Sequence, residues 1–510
     1  MDDEPDLAEP LLLGWLASVH LDAHYTRAEG DHLYRLDEQG REVAVVDFAG
    51  GYGSTLLGHN HPEIVALARD LLANGVPVHA QFSRHPYARD LASALNRVLR
   101  REHGDDEPYS VIFANSGAEA IEAAVKHAEL DRVLKVGALR ESIAANVEAA
   151  RAAVADGTAV ADGDFEALAA RVDEVNAERA ATRPVLFALE GGFHGKLVGS
   201  VQLTHNAAYR NPFGALGVTT RFVAKDDLAS LPKLFDEERV DLLDLEVRDG
   251  RVVPVPRPLP VFCAFAVEPV QGEGGIRVLD ERSARLIRTA CDEVDCPVLV
   301  DEVQSGMGRT GTFLASSAVG LRGDYYALAK SLGGGVAKTA VMLARASRYR
   351  GEFELVHSST FAKDAFSTTI ALKVLELLEA DGGALYRRAT ERGERITAAL
   401  RAVREEFPDV VVDVRGRGLM LGLEFADQSG SAHAAIREHN AGGTLGYAIA
   451  GLLLRRHRVR TFPTASAPNT LRFEPSVFIG DAEVDQLAEG LRDAAAVLRA
   501  ADGEALLGSR

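Results

Sequence analysis

The sequence predicts an α/β protein built on a largely parallel sheet, and three observations carry that prediction. Short β-branched runs alternate with longer stretches of helical period, the alternation that lays parallel strands side by side through helical crossovers. Five runs, Ser110–Ala114, Val185–Leu189, Val261–Val267, Pro297–Val300 and Tyr325–Ala329, are apolar almost throughout, as strands covered on both faces must be. The residues directly after these runs are unusually polar, and sites in such sheets gather at the carboxyl ends of the strands.

Residues 1–85 stand apart from the alternation. They hold a predicted hairpin, His32–Leu36 with Glu42–Asp47, and the glycine-rich Ala49-Gly-Gly-Tyr-Gly-Ser54, and are expected to pack with the carboxyl-terminal region. Residues 86–374 read as a large domain. Within it, 130–183 is rich in Ala, Glu and Asp, with apolar residues at Leu139, Ile143, Val147 and Val154, then at Phe165, Leu168, Val172 and Val175. Both sets keep helical spacing, and Ala155-Asp-Gly-Thr158 with Asp162-Gly-Asp164 separates them. A helical hairpin is predicted, either a decoration packed on the parent domain or an element that docks a partner. From about Leu375 the pattern becomes a long helix, then the segments Val410–Val414, Leu419–Phe425 and Thr470–Phe473, then a last helix from Asp481. Residues 375–510 read as a smaller α+β domain.

With 510 residues, 47% hydrophobic and 26% charged, the chain has the composition of a folded protein of two or three units rather than a disordered one. A net charge of −19 with no basic patch argues against nucleic acid or anionic membrane as a partner. The start, Met1-Asp-Asp-Glu-Pro5, is acidic where a secretory or transit peptide needs cationic residues. The apolar run Leu11–Val19 is broken by Gly14 and is about half a membrane span, so a cytoplasmic location is expected. Cys263, Cys291 and Cys296 form neither a disulfide framework nor a cysteine-rich zinc site, and buried free thiols are expected.

Three constellations carry chemistry. In Tyr109–Lys126 a strand passes through Asn115-Ser116-Gly117-Ala118 into a helix, whose free N–H groups, dipole and Ser116 hydroxyl suit a phosphate; the same residues also make an ordinary helix cap. The apolar run Pro297–Val300 ends on Asp301, a carboxylate that needs a positive partner if buried. A protonated pyridine nitrogen, an arginine or a helix start would serve, and Gln304 stands ready to donate to a phenolic oxygen on the same ring. Tyr325–Ala329 then leads to Lys330 and Gly333-Gly-Gly335. Burial favours the neutral, nucleophilic amine of a lysine so placed, as Schiff-base chemistry requires; a lysine reaching to solvent beside a flexible loop is the alternative.

Phosphate cradle, Asp–Gln pair and strand-end lysine, in this order, are the parts of a pyridoxal 5′-phosphate site. With Gly58-His-Asn-His-Pro62, Asn115-Ser-Gly-Ala-Glu-Ala120, Gly192-Phe-His-Gly195, Glu268-Pro-Val-Gln-Gly-Glu273, Asp301-Glu-Val-Gln-Ser-Gly306 and Ala329-Lys-Ser-Leu-Gly-Gly-Gly335, the chain resembles a class III aminotransferase of fold type I. That group contains ornithine, acetylornithine and 4-aminobutyrate aminotransferases. The resemblance runs from Leu33 to about Ala496, apart from the 130–183 insertion and a shorter one around Leu242–Pro256. It implies a mostly parallel seven-stranded sheet in the large domain and a smaller α+β domain built from both chain ends.

For the site, the resemblance implies that Lys330 holds pyridoxal phosphate as a Schiff base, Asp301 faces the pyridine nitrogen, and Gln304 faces the ring oxygen. Ser116, Gly117 and Ala118 bind the phosphate, Phe193 stacks on the ring with His194 beside it, and Thr360 reaches the phosphate of a neighbouring subunit. An obligate homodimer with composite sites follows. Tyr52 falls near the substrate, where residues Phe82–His85 are also expected to help choose the amine. Arg472 is the position that grips the α-carboxylate of glutamate or 2-oxoglutarate, and Glu273 pairs with it when that carboxylate is absent. The chain departs from the family after Arg472, reading Glu474-Pro475-Ser476 where an apolar residue and two prolines are usual, which puts a carboxylate where it can retune or misdirect the guanidinium. His59 and His61 lack a third ligand at metal-binding spacing, so no metal is expected. Gly50-Gly-Tyr-Gly53 follows no βαβ pattern, so no nicotinamide cofactor is expected either.

The reaction implied is transfer of an amino group between an amine and a keto acid, with Lys330 as the base. An aminomutase or epimerase of the same fold is the rival, since it does not need the switching arginine; a non-catalytic dimeric scaffold is a remoter one.

Overall fold

The computed structural model describes residues 8–37, 39–80 and 83–508; the acidic start at Met1–Pro5 and Phe82 lie outside the described residues. Its centre is a seven-stranded sheet in the order Tyr109–Ala114, Ala340–Arg345, Tyr325–Leu328, Val298–Asp301, Phe262–Val267, Val185–Leu189, Thr220–Val223. Only Ala340–Arg345 runs antiparallel to its neighbours. The five apolar runs are all strands here, within a residue at either end. Ala340–Arg345 and Thr220–Val223 complete the sheet.

Side-chain alternation gives this sheet two unlike faces. Ala264, Ala266, Leu299, Ala327 and Ala344 point to one side, where Ala120, Ala123, Ala124 and Ala128 of the helix Gly117–Ala155 meet them; small residues on both surfaces let helix and sheet approach closely. Phe265, Val267, Val298, Val300, Tyr326 and Leu328 point to the other side, into the main core.

A second, antiparallel sheet is formed by Val411–Arg417, Met420–Phe425, Thr470–Phe473 and Phe462–Pro463. The predicted hairpin His32–Leu36 with Glu42–Asp47 is present and joins Tyr25–Glu29 in a meander, to which Val459–Arg460 adds in parallel. Both chain ends are thereby stitched into one smaller α+β unit. Asp47 secures the junction: its carboxylate accepts hydrogen bonds from Arg460, His59 and the backbone of Ala49 and Gly50.

Two expectations need correction. The long helix begins at Ala365, capped by Asp364 on the Ser367 amide, not near Leu375; it breaks at Asp381-Gly382-Gly383, all at positive φ, and resumes to Glu406. Residue 374, the expected end of the large domain, therefore falls inside this helix. The 130–183 hairpin exists, but its first arm is the continuation of Gly117–Ala155 into its 39th residue, with Phe165–Ala180 as the second arm. The other insertion is a β-hairpin, Asp241–Arg248 with Arg251–Pro258, turning on Asp249 and Gly250 at positive φ as two-residue hairpin turns require. The two insertions pack on each other around Ile143, Val147, Phe165, Val172, Leu245 and Val252, a core separate from the main one.

Candidate active site

The polar residues that follow the strands converge at the carboxyl edge of the sheet. Ser116, Gly117, Ala118, Phe193, His194, Glu268, Asp301, Gln304 and Lys330 line one cavity of about 530 Å³, within the range that holds cofactor-sized ligands. The sequence placed nearly all of them; Glu268 it left without a role, although a carboxylate closing the strand Phe262–Val267 obeys the same logic as Asp301.

At one end of the cavity lies the start of the helix Gly117–Ala155. Ser116 Oγ accepts from the Glu119 amide at 3.3 Å, while the Glu119 carboxylate reaches back to the Asn115 amide at 2.6 Å, a reciprocal cap. The Ser116 carbonyl takes the amide of Ala120. The N–H groups of Gly117 and Ala118 are thus left for an anion at the positive end of the helix. Gly117 has to be glycine: a Cβ there would stand 2.7 Å from Val303 Cγ1.

Asp301 closes the central strand with its carboxylate buried. Its Oδ1 accepts from the Val303 amide at 3.0 Å and its Oδ2 meets His194 Nδ1 at 2.8 Å. The positive partner demanded by the sequence is therefore supplied in part by His194. Burial opposes a charge on that ring, but the Asp301 hydrogen bond and charge prevail and raise its pKa. His194 Nε2 is buried without a hydrogen-bond partner. Glu268 holds the backbone of this corner, accepting from the amides of Phe193 at 2.8 Å and Gly272 at 3.0 Å, and burial pushes its pKa up to about 7.

Lys330 follows the strand Tyr325–Leu328 at φ +50°, a left-handed conformation that costs a non-glycine residue about 1–3 kcal/mol and that collects at functional positions. Desolvation lowers its pKa against the pull of Glu474, Glu273 and Asp301. The amine is thus displaced toward the neutral form expected of a nucleophile. Gln304 turns its amide nitrogen onto both carboxylate oxygens of Glu474, at 2.8 and 2.9 Å.

The residues expected to meet the substrate gather around Arg472, next to the cavity rather than in its lining. Arg472 is 1% exposed, and its guanidinium grips Glu273 through two parallel hydrogen bonds, Nη1 to Oε1 at 2.7 Å and Nη2 to Oε2; the Ala465 amide also donates to Glu273 at 2.7 Å. Tyr52 lays its ring 5.0 Å from the Arg472 guanidinium carbon and stacks on Phe462. Glu474 does not misdirect the arginine, because its carboxylate is engaged by Gln304. Thr360 is exposed and outside the cavity of its own chain, next to Ser359, which accepts from Asn115 Nδ2 at 2.8 Å. Ser83–His85 do not line the cavity, His59 pairs with Asp47, and His61 packs near Phe478. Among the described residues no cluster of ligating side chains suits a metal ion, and the three cysteines are free and buried.

These residues fit pyridoxal phosphate: a helix start with two amides open to an anion, an aromatic wall at Phe193, a buried carboxylate, and a strained lysine with a depressed pKa surround one cavity. Comparisons with known proteins point the same way. The sequence profile of the family described as aminotransferase class-III matches residues 16–495. A putrescine aminotransferase from Pectobacterium atrosepticum is 28% identical over 480 residues, covering 94% of this chain and 82% of that protein. Among solved structures, the ornithine aminotransferase of Toxoplasma gondii ME49 shares the fold with a TM-score of 0.67 at 20% identity, over 94% of this chain and 91% of that one. The omega transaminase of Pseudomonas jessenii, solved in complex with PMP, does so with a TM-score of 0.70 at 21% identity, over 98% and 97%. The chain belongs to the class III aminotransferase family, and its cofactor is pyridoxal 5′-phosphate.

Proposed function

We propose that this aminotransferase takes its amino group from an amine without an α-carboxylate and delivers it to 2-oxoglutarate, giving a carbonyl product and glutamate. The observation that carries this reading is the bidentate Arg472–Glu273 pair beside the cavity. Arg472 facing the pocket alone would misplace a carboxylate-free amine, and Glu273 neutralises it. When a dicarboxylate arrives, its α-carboxylate can take over both guanidinium hydrogen bonds and release Glu273. An aminomutase or epimerase has no need of such an exchange. The name of the Pectobacterium relative, a putrescine aminotransferase, agrees with an amine lacking a carboxylate.

When bound, pyridoxal phosphate supplies the carbonyl that takes up the amino group and the electron sink that acidifies the substrate Cα–H. Lys330 Nζ would hold the cofactor, then take the Cα proton of the amine and pass it to the cofactor's carbonyl carbon, and in the second half reaction move a proton the opposite way. Asp301, backed by His194, keeps a proton on the pyridine nitrogen. The Gly117 and Ala118 amides with the Ser116 hydroxyl would hold the phosphate, Phe193 would give the ring an apolar wall, and Gln304 would stand toward the ring oxygen.

The site is read as shared between two copies of the chain, with Thr360 reaching the phosphate of the other. The loop around it supports this, since Leu355, Val356 and Phe361 are 89%, 64% and 63% exposed, an apolar surface of the kind that marks contact with another chain. Among the described residues no helix is long and apolar enough to cross a membrane, and a cytoplasmic dimer is the arrangement proposed. The test of the substrate reading is an acceptor comparison with a fixed amine donor: 2-oxoglutarate is expected to outperform pyruvate in kcat/KM, and a preference for pyruvate or no net amino transfer would overturn it.

A further inference from the structure

The side chain of Glu474 is 0% exposed and lies two residues beyond Arg472, directly after the end of the strand Thr470–Phe473. Burying a carboxylate is costly unless it is paired, and among the described residues this one is held by hydrogen bonds from Gln304 and not by a salt bridge. Its hydrogen-bond donor is the Gln304 amide, and its own backbone N–H donates to the Phe48 carbonyl at 2.7 Å. The glycine-rich loop closes over it. A Cβ on Gly50, at φ +53°, would fall 1.9 Å from the Glu474 carbonyl oxygen, and one on Gly53 would fall 3.3 Å from its Oε1. Gly50 thus leaves room for the Glu474 backbone and Gly53 for its carboxylate.

Three cations face Glu474: Lys330 from the strand end, Arg309 from the loop after Asp301, and Arg472 from the strand that precedes it. Arg309 spends its hydrogen bonds on the carbonyls of Leu419, Gly53 and Pro475, and Arg472 on Glu273 and Pro463. Lys330 in turn is faced by Glu474, Glu273 and Asp301 and by the opposing charge of Arg472, with Glu474 the strongest of the carboxylates. An ionised carboxylate only accepts hydrogen bonds, so Gln304 cannot turn its carbonyl toward Glu474 without losing both contacts. Gln304 Oε1 is thereby fixed on the side of Gly272, where a Cβ would stand 2.0 Å from it.

We propose that Glu474 is a positioning residue of the cofactor site, which locks the Gln304 amide in one orientation and sets its carboxylate against Lys330. The proposal rests on the reading that Lys330 carries the cofactor and Gln304 touches it. A fixed negative neighbour favours the protonated form of that nitrogen while it is joined to the cofactor, whatever the amine substrate is.

The test is a pH titration of the visible absorbance of the reconstituted holoenzyme, with the pyridoxal phosphate dissociation constant measured by adding cofactor back to apoenzyme. Glu474→Gln is expected to lower the absorbance midpoint by about one pH unit or more, roughly a tenfold loss of proton affinity, and to weaken cofactor binding severalfold. Glu474→Asp, which keeps the charge, is expected to restore most of the midpoint. If the wild type stays protonated up to about pH 10, Glu474→Gln should bring the titration into range. A midpoint unmoved in Glu474→Gln, or no titration in either protein, overturns the proposal. Should Glu474→Gln fail to fold, Glu474→Ala takes its place: a midpoint displaced downward supports the proposal and an unmoved one overturns it. A wild type that binds no cofactor would instead defeat the reading on which the proposal rests.

Discussion

The core formed by the two insertions and the walls of the cofactor cavity are both well buried, yet they treat polar groups in opposite ways. Between the insertions, Asp244 is met by Asn146, Arg257 and the Leu245 amide, and Asn176 exchanges two hydrogen bonds with the backbone of Leu243. Among the described residues, no buried polar side-chain atom of that unit is left unpaired. The cavity end of the molecule contains buried and unpaired His194 Nε2, Arg472 Nε and Arg309 Nε, the strained Lys330, and Glu268, whose proton affinity burial raises. Buried polar groups left incomplete are disfavoured in a purely structural core. The contrast teaches where this chain spends stability: the insertions are assembled for packing alone, and the strand ends hold groups in states that only a ligand completes.

Breaking the second pattern should cost function before stability. The largest effect is expected for Asp301→Asn, which leaves His194 hydrogen-bonded but removes the charge proposed to hold a proton on the pyridine nitrogen. Stopped-flow rates of the amine half reaction should fall by several orders of magnitude while cofactor is retained. A loss under about tenfold, roughly 1.4 kcal/mol, would mean that another group sets the ring charge. Next comes Arg472→Ala. Without its bidentate partner, 2-oxoglutarate should show a KM raised by about one to three orders of magnitude, with the amine half reaction largely spared. Equal damage to both half reactions would show the Arg472–Glu273 pair to be a structural ion pair. The smallest effect on catalysis is expected in the insertion core. Phe165→Ala empties a 7% exposed position and should destabilise that unit by about 3 kcal/mol in denaturant titration. Its kcat/KM should stay within about twofold of wild type, and a larger drop would tie the insertion to the cavity.

Legibility in the sequence followed the same division. Lys330, Asp301 and Ser116–Ala118 could be read because each is a polar residue placed directly after an apolar run, a pattern that survives without knowledge of neighbours. The strand Ala340–Arg345 was missed although Val341–Ala344 is apolar, because a short run between a glycine-rich loop and a cationic turn has no period long enough to separate strand from helix. Ala365–Leu378 escaped for a related reason: Ser367-Thr-Thr369 hides a helix whose buried stripe, Ile370, Val374 and Leu378, is plain only once the face it covers is known. The two insertions could each be delimited from the sequence, but nothing in either run marks it as the other's packing partner.

By itself the sequence determined the strand runs, their alternation with helices, and the chemistry standing at their carboxyl ends, because period and local polarity are written within a few residues of one another. The tertiary structure alone decided which distant groups meet. It set His194 on Asp301 across 107 positions, Glu273 on Arg472 across 199, and Gln304 on Glu474 across 170. Such contacts depend on how strands register and loops close, and a charge acts on whatever lies within a few ångströms of it regardless of its distance along the chain. Glu474 shows the difference most sharply: in the sequence it is a departure beside an arginine, and in the fold it is a sealed carboxylate holding the Gln304 amide.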